Sequence, residues 1–337
     1  MAYKIGKRTI KMENDTAVEC YASMAGKKES EGPIGRLFDK VFEDEYLGQK
    51  TYEMAESELQ KQVFGKALEK GNLTEEDIDY IFSGDLLNQC SASNYGLGGY
   101  QIPHIGIYGA CSTMALGLAL SSCFVDTKIS NRSACVTSSH FCSSERQFRL
   151  PLEYGGQRAP STQWTVSGAG AAIVSRRNNK PIKINSVTFG KIVDKGITDV
   201  NNMGAAMAPA AADTIKTFFQ DTETKPSDYD MILTGDLGVV GSKILCDLLS
   251  MDNIDIKDVH ADCGTNIFFN QKQGVCSGGS GCGCSASVLC SRIFKNMEEG
   301  HLKKVLFCAT GSLHSPTSVL QNQSIPGIAH LIFLETL

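Results

Sequence analysis

Gly109-Ala110-Cys111-Ser112-Thr113-Met114 is the stretch on which the reading of the whole chain turns. An apolar run, Ile105-Gly106-Ile107-Tyr108, ends just before it. Ala115-Leu116-Gly117-Leu118-Ala119-Leu120 follows as the start of a buried helix. Cys111 is therefore expected at a tight strand-to-helix junction. There the positive end of a helix dipole lowers a thiol pKa, and the first N–H groups can hold a carboxylate or a developing oxyanion. On the local sequence alone Cys111 reads first as a small apolar side chain packed in a turn, one of 13 cysteines in 337 residues. The local sequence leaves both readings open.

Outward from this stretch the chain repeats itself. The segment Leu73 to Leu86, ending Ser83-Gly84-Asp85-Leu86, matches Thr224 to Leu237, ending Thr234-Gly235-Asp236-Leu237. Each follows a helix, expected over 51–70 in one copy and 210–219 in the other. The Cys111 helix and its strand ending at Thr137 match the helix after Cys284 and the strand ending at Thr310. Gly168–Val174 matches Gly327–Phe333. Three matches in one order point to a duplicated half. Their unequal spacing places an insertion in the second copy, around 248–274. Strands alternate with helices in each copy, so each is an α/β layer. The expected division is 1–176 and 177–337 within one compact unit. The apolar helices around 114–124 and 286–294 should pack on each other between two sheets.

Composition narrows the function. Hydrophobic residues make up 42% and charged residues 20%, enough for a large core. The net charge is -5 with no basic tract, which argues against nucleic acid as a partner. Met1 to Asp15 has no apolar core of a signal peptide, and the longest apolar stretch, Met114 to Val125, is too short to span a bilayer. A soluble protein is expected. The scattered cysteines read as free thiols. Cys282-Gly283-Cys284 lacks the second pair that a zinc site needs, with Cys263 and Cys276 its nearest companions, so no metal site is assigned. Gly278-Gly-Ser-Gly-Cys-Gly283 lacks the Lys-Ser/Thr of a phosphate-binding loop.

The chain resembles the thiolase fold, with its two α/β halves in a layered αβαβα arrangement and a cysteine at the buried helix of the first half. Within that fold it is most similar to the stage V sporulation protein AD family of endospore-forming bacteria. The resemblance rests on Gly84-Asp-Leu-Leu-Asn-Gln89, Gly109-Ala-Cys-Ser-Thr113, Thr137-Ser-Ser-His140 and Glu145-Arg-Gln-Phe-Arg149. It also rests on Glu153-Tyr-Gly-Gly156, Met207 to Lys216, Thr234-Gly-Asp-Leu237 and Gly278-Gly-Ser-Gly-Cys282. It spans nearly the whole chain. It implies a protein that binds dipicolinic acid (pyridine-2,6-dicarboxylate) and supports its uptake into developing endospores, beside membrane proteins of the same sporulation operon. It also implies a homodimer, peripheral at the inner spore membrane, with no cofactor of its own and with Ca²⁺ entering only as a companion of dipicolinate.

The resemblance further implies a vestigial catalytic set, Cys111, Asp236 and Cys282. Asp236 stands where condensing enzymes of the ketoacyl synthase III type carry a histidine. An aspartate there raises a thiol pKa and cannot donate to an enolate oxyanion. Ligand binding suits the set better. The residues expected around the ligand are Cys111, Ser112, His140, Arg149, Asp236, Cys282, Cys284 and His330. Helix N-termini at Cys111 and Cys284 would supply N–H donors, and Arg146, Arg149 and Arg158 would pair with carboxylates. Met114 and the glycine-rich 278–283 are expected as slot walls. His140 reads equally as a loop-end residue bonding backbone, and His330 reads first as a satisfied core histidine. The competing function is an active thiolase-like or ketoacyl-synthase-like acyltransferase using Cys111. A purely structural subunit with an idle pocket is the third reading.

Overall fold

The structure, a computed structural model, describes residues 1–148, 158–176 and 180–336. Helix α1, Tyr52–Gly71, starts where the sequence places it. The Thr51 hydroxyl caps it by accepting from the Met54 N–H at 3.2 Å, and Asn72 ends it in the left-handed conformation. Thr74 opens the next turn through a capping box with Asp77.

The first half contributes strands β1 (Thr16–Gly26), β2 (Tyr80–Gly84), β3 (His104–Gly106), β4 (Arg132–Ser139) and β5 (Gly168–Arg176). The second contributes β6 (Ile182–Thr188), β7 (Met231–Thr234), β8 (His260–Asp262), β9 (Lys304–Ser312) and β10 (Gly327–Thr336). Their spatial order is β3-β2-β4-β5-β1 in one and β8-β7-β9-β10-β6 in the other. The fifth strand of each runs antiparallel to both neighbours, while the others along β3-β2-β4 and β8-β7-β9 are parallel. The same winding thus occurs twice, as a duplication leaves it. The two five-stranded arrays touch at one register pair, Lys183 of β6 with Ala17 of β1.

Side-chain alternation builds the layers. In β5, Ala169, Ala171 and Ile173 face α1, while Ala172 and Val174 face the middle of the molecule. In β9, Leu306 and Cys308 face outward to helix α2 (Met203–Thr222), and Val305, Phe307 and Ala309 face inward. A period of two that is apolar on both faces marks sheets covered on both sides. Between the sheets lie helix α3 (Thr113–Asp126) and helix α4 (Cys282–Val288). Met114 and Leu118 of α3 are fully buried there. Each contributes about 1.5–3 kcal/mol of hydrophobic stabilisation. This is the layered thiolase-like α/β fold that the sequence suggests.

Two glycines set how closely the middle layer sits. A Cβ on Gly170 of β5 would lie 2.5 Å from the Ala286 carbonyl oxygen, so only glycine lets α4 press on the sheet. A Cβ on Gly311 would lie 2.4 Å from the Gly109 carbonyl oxygen, so glycine there admits the Cys111 loop against the end of β9. The thirteen cysteines are free.

Two carboxyls are sealed inside the first half. Glu56 of α1 accepts from the Ser138 hydroxyl at 3.0 Å and the Ser143 hydroxyl at 2.6 Å, and Glu29 accepts from the Ser167 N–H at 3.0 Å. Burial pushes both up to about 8. A carboxyl whose folded pKa exceeds its unfolded value holds its proton in the native state only. Its contribution is full at low pH and is lost as pH rises through the window between the two values. The melting temperature should therefore fall between about pH 5 and pH 8, and Glu56→Gln should flatten that fall. An unchanged slope in the variant, read by calorimetry, would contradict the assignment.

Candidate functional site

Cys111 lies in a tight turn just ahead of α3. The Ser112 N–H donates to the Gly109 carbonyl at 3.0 Å and the Thr113 N–H to the Ala110 carbonyl at 3.2 Å. The Ser112 and Thr113 hydroxyls bond the same two carbonyls at 2.6 Å. Ala110 sits at φ 48°, a left-handed conformation that its Cβ disfavours. Strain held beside a cavity is a mark of a working site. The helix proper begins at Thr113, two residues before the Ala115 start that the sequence suggests, with Cys111 at its mouth.

The Cys111 thiol meets the Asp236 carboxylate and the Gly281 N–H. Burial, then the Asp236 charge, hold it well above the usual thiol value. The helix-dipole effect expected from sequence is outweighed. Asp236 follows β7 and is fully buried. Its Oδ1 accepts from the Thr310 hydroxyl at 2.9 Å. Its Oδ2 accepts from the Ser280 hydroxyl at 3.1 Å and the Gly281 N–H at 3.0 Å. Burial raises it to about 6, against the lowering effect of these donors and the Cys111 thiol. Its counterpart Asp85 is used differently. It accepts from the Leu87 N–H at 2.8 Å, and from the Ser93 N–H at 2.8 Å and hydroxyl at 2.7 Å, all within its own loop.

Cys282 completes the group. Its thiol donates to the Ser138 carbonyl at 2.9 Å, and it packs with Cys111 and Leu86. Helix α4 begins at Cys282, capped by Gly281 at φ 101°, so Cys284 is not its N-terminus as expected. The Cys284 thiol faces the Gly235 carbonyl at 3.9 Å, away from the cavity. His140 is sealed between Phe42 and Tyr52, its Nε2 2.9 Å from the Glu45 carbonyl oxygen. His330 belongs to β10. It accepts from the Gly190 N–H at 3.2 Å, and burial lowers it to about 4, which makes it a neutral core histidine. Met114 is core, not wall. Arg146 pairs with Glu53 and Arg158 with Glu145. Arg149 and the 153–156 motif lie outside the described residues.

In front of Cys111 is a small recess in which a water's centre can reach about 30 Å³. It is a narrow slot. Tyr108, Phe148 and His314 give it aromatic walls, with Leu86 and Met203 beside them. Ser144, Thr165, Ser280 and Ser312 supply hydroxyls. Glu145 is the acidic side chain among the described lining residues. It accepts from the Thr165 hydroxyl at 3.0 Å and pairs with Arg158 at 3.3 Å, and that guanidinium stacks on Trp164 at 4.7 Å. Of the eight residues expected around a ligand, Cys111 lines the slot, and Asp236 and Cys282 stand directly behind it. The aromatic walls and Glu145 were not anticipated. A helical signal for part of this set exists, since Ser144, Glu145 and Phe148 share one face at i, i+1, i+4 spacing, with Arg146 turned off it.

Comparison with known proteins bears on the fold and the family. A family model described as Stage V sporulation protein AD matches residues 6–335. Stage V sporulation protein AD of Bacillus subtilis (strain 168) is 46% identical over 330 residues, covering 98% of this chain and 97% of that one. Among solved structures, 3-oxoacyl-[acyl-carrier-protein] synthase III from Aquifex aeolicus VF5 superposes with a TM-score of 0.56 at 13% identity, over 95% of this chain and 99% of its own. A variant of OleA from Xanthomonas campestris superposes with a TM-score of 0.60 at 14% identity, over 96% and 99%. At those identities the two structures speak for the fold alone.

Asp236→Ala should leave four donors, the Cys111 thiol among them, without their acceptor and cost about 3 kcal/mol or more in urea denaturation. Asp236→Asn, which keeps one acceptor, should cost less. Equal, near-zero losses in both would contradict the network.

Proposed function

The chain belongs to the Stage V sporulation protein AD family, and from that membership we propose that it binds dipicolinic acid in the slot before Cys111. The observation that carries this reading is the slot itself. It is thin, walled by aromatic rings and edged by hydroxyls, a form that suits a flat aromatic acid with polar ends. The thiol at its base is held protonated. It therefore serves as shape, with its turn supplying backbone contacts.

Ca²⁺ would enter with the ligand, whose paired carboxylates are the hard oxygen donors that it prefers. In this reading the metal travels with the ligand. Among the described residues no helix is long and apolar enough to cross a membrane. Transfer into the developing spore then requires membrane proteins of the same operon, with this chain as their peripheral partner at the inner spore membrane. A homodimer fits the short, exposed edge strand β3, whose open backbone groups favour pairing with a second copy. Light scattering should give twice the chain mass at micromolar concentration, and a monomer alone would refute the dimer.

The acyltransferase reading keeps one supporting observation, a cysteine facing a cavity at a helix mouth. Against it stands a thiol pushed up by burial and by Asp236, where a nucleophile needs a base that stabilises thiolate. Incubation with acyl-CoA should leave the intact mass unchanged. An adduct lost in Cys111→Ala would establish the transferase instead.

Calorimetric titration tests binding. Dipicolinate should bind, more tightly with Ca²⁺ than without. Cys111→Ala should change affinity little, whereas Cys111→Trp should abolish binding by filling the slot. Asp236→Ala should weaken it by loosening the loops behind the slot. Binding that survives both Cys111→Trp and Asp236→Ala unchanged would place the ligand elsewhere.

A further inference from the structure

The slot does not end at its aromatic walls. Leu86, Tyr108, Phe148 and His314 line it on one side and, on the other, line a second cavity. The two spaces differ in kind. A water's centre can reach about 410 Å³ of the outer cavity, against about 30 Å³ of the inner slot. The outer cavity mixes the polar side chains Asn88, Gln89, Gln147 and Ser318 with Leu87 and Leu313. The partition between them is mostly aromatic, and the Phe148 and His314 rings lie 5.5 Å apart.

A hydrogen-bonded clasp forms part of the outer cavity's wall. The Gln147 amide donates to the Asn88 side-chain oxygen at 2.7 Å, and the Asn88 N–H donates to the Gln147 side-chain oxygen at 3.4 Å. The clasp joins the loop after β2 to the helix Phe141–Phe148, whose last residue is the partition residue Phe148. It is solvent-exposed, so breaking it costs the fold little. Next to Asn88, Gln89 and Cys90 both adopt left-handed φ, 55° and 50°, as Ala110 does on the inner side. Consecutive non-glycine residues in that conformation store strain in the loop that the clasp holds.

We propose that Tyr108, Phe148 and His314 form a gate between the outer cavity and the Cys111 slot, and that the Asn88–Gln147 clasp holds it shut. A flat molecule passes edge-on between the rings, and a thicker one is stopped. The gate thereby selects ligands by shape before the slot selects them by polarity. This inference does not depend on which ligand occupies the slot, and its test uses none.

The probe is methyl methanethiosulfonate, and the readout is the rate at which each cysteine of the full chain is modified, followed by peptide mass spectrometry. Cys111 reports passage through the gate. Exposed Cys276 reports reagent activity, and core Cys308 reports general loosening. Gln147→Ala removes both bonds of the clasp and should raise the Cys111 rate by about fivefold, the low end for two solvent-exposed bonds, with Cys276 and Cys308 unchanged. Phe148→Ala should raise it further. An unchanged Cys111 rate in Gln147→Ala overturns the gate. So does a parallel rise at Cys308, which would show that the whole fold had loosened. Because Gln147 lies at the surface, its variant tests the gate even where Phe148→Ala fails to fold.

Discussion

A buried carboxylate with its donors around it holds this site together. Asp236 gathers the Thr310 hydroxyl from the end of β9, the Ser280 hydroxyl and Gly281 N–H from the entry to α4, and the Cys111 thiol from the first half. No two of these segments are neighbours in sequence. Burying a charge is tolerable only when each of its oxygens is satisfied, so the carboxylate fixes where all of them sit. Gly311 and Gly170 make the same approach possible sterically, one admitting the Cys111 turn and the other α4.

That arrangement decides the chemistry. A cysteine at a helix mouth is disposed to ionise, and the fold supplies the helix. Burial and an adjacent carboxylate act the other way, and they win. A thiol held in its neutral form is thereby left at the bottom of the aromatic slot. The donors gathered on Asp236 give the site the fixed shape that the proposed recognition of a flat acid would use.

The fold was legible because duplication leaves a long-range signal. Gly84-Asp85-Leu86 and Gly235-Asp236-Leu237 recur in matching contexts, and the sheets bear the same winding at both places. The repeat aligns Asp85 with Asp236, yet the two carboxylates are used differently. Asp85 serves its own loop, whereas Asp236 reaches across segments, a difference made by partners that no local spacing reveals. Cys111, Asp236 and Cys282 were legible through resemblance. Tyr108, His314 and Met203 were not, because each comes from a different loop or helix and converges only in space. Glu145 was within reach of helical periodicity, but the arginines around it drew the reading. His140 and His330 have the residue type of site groups and the surroundings of core ones.

Asp236 and burial keep the Cys111 thiol protonated, and the proposed role in binding depends on that state. The pH dependence of Cys111 alkylation by iodoacetamide, resolved from the other cysteines by peptide mass spectrometry, tests it most directly. The account predicts a rate still climbing with pH above 9, the ordinary thiol value. A rate that levels off below about pH 7, the signature of an activated thiolate, would contradict it.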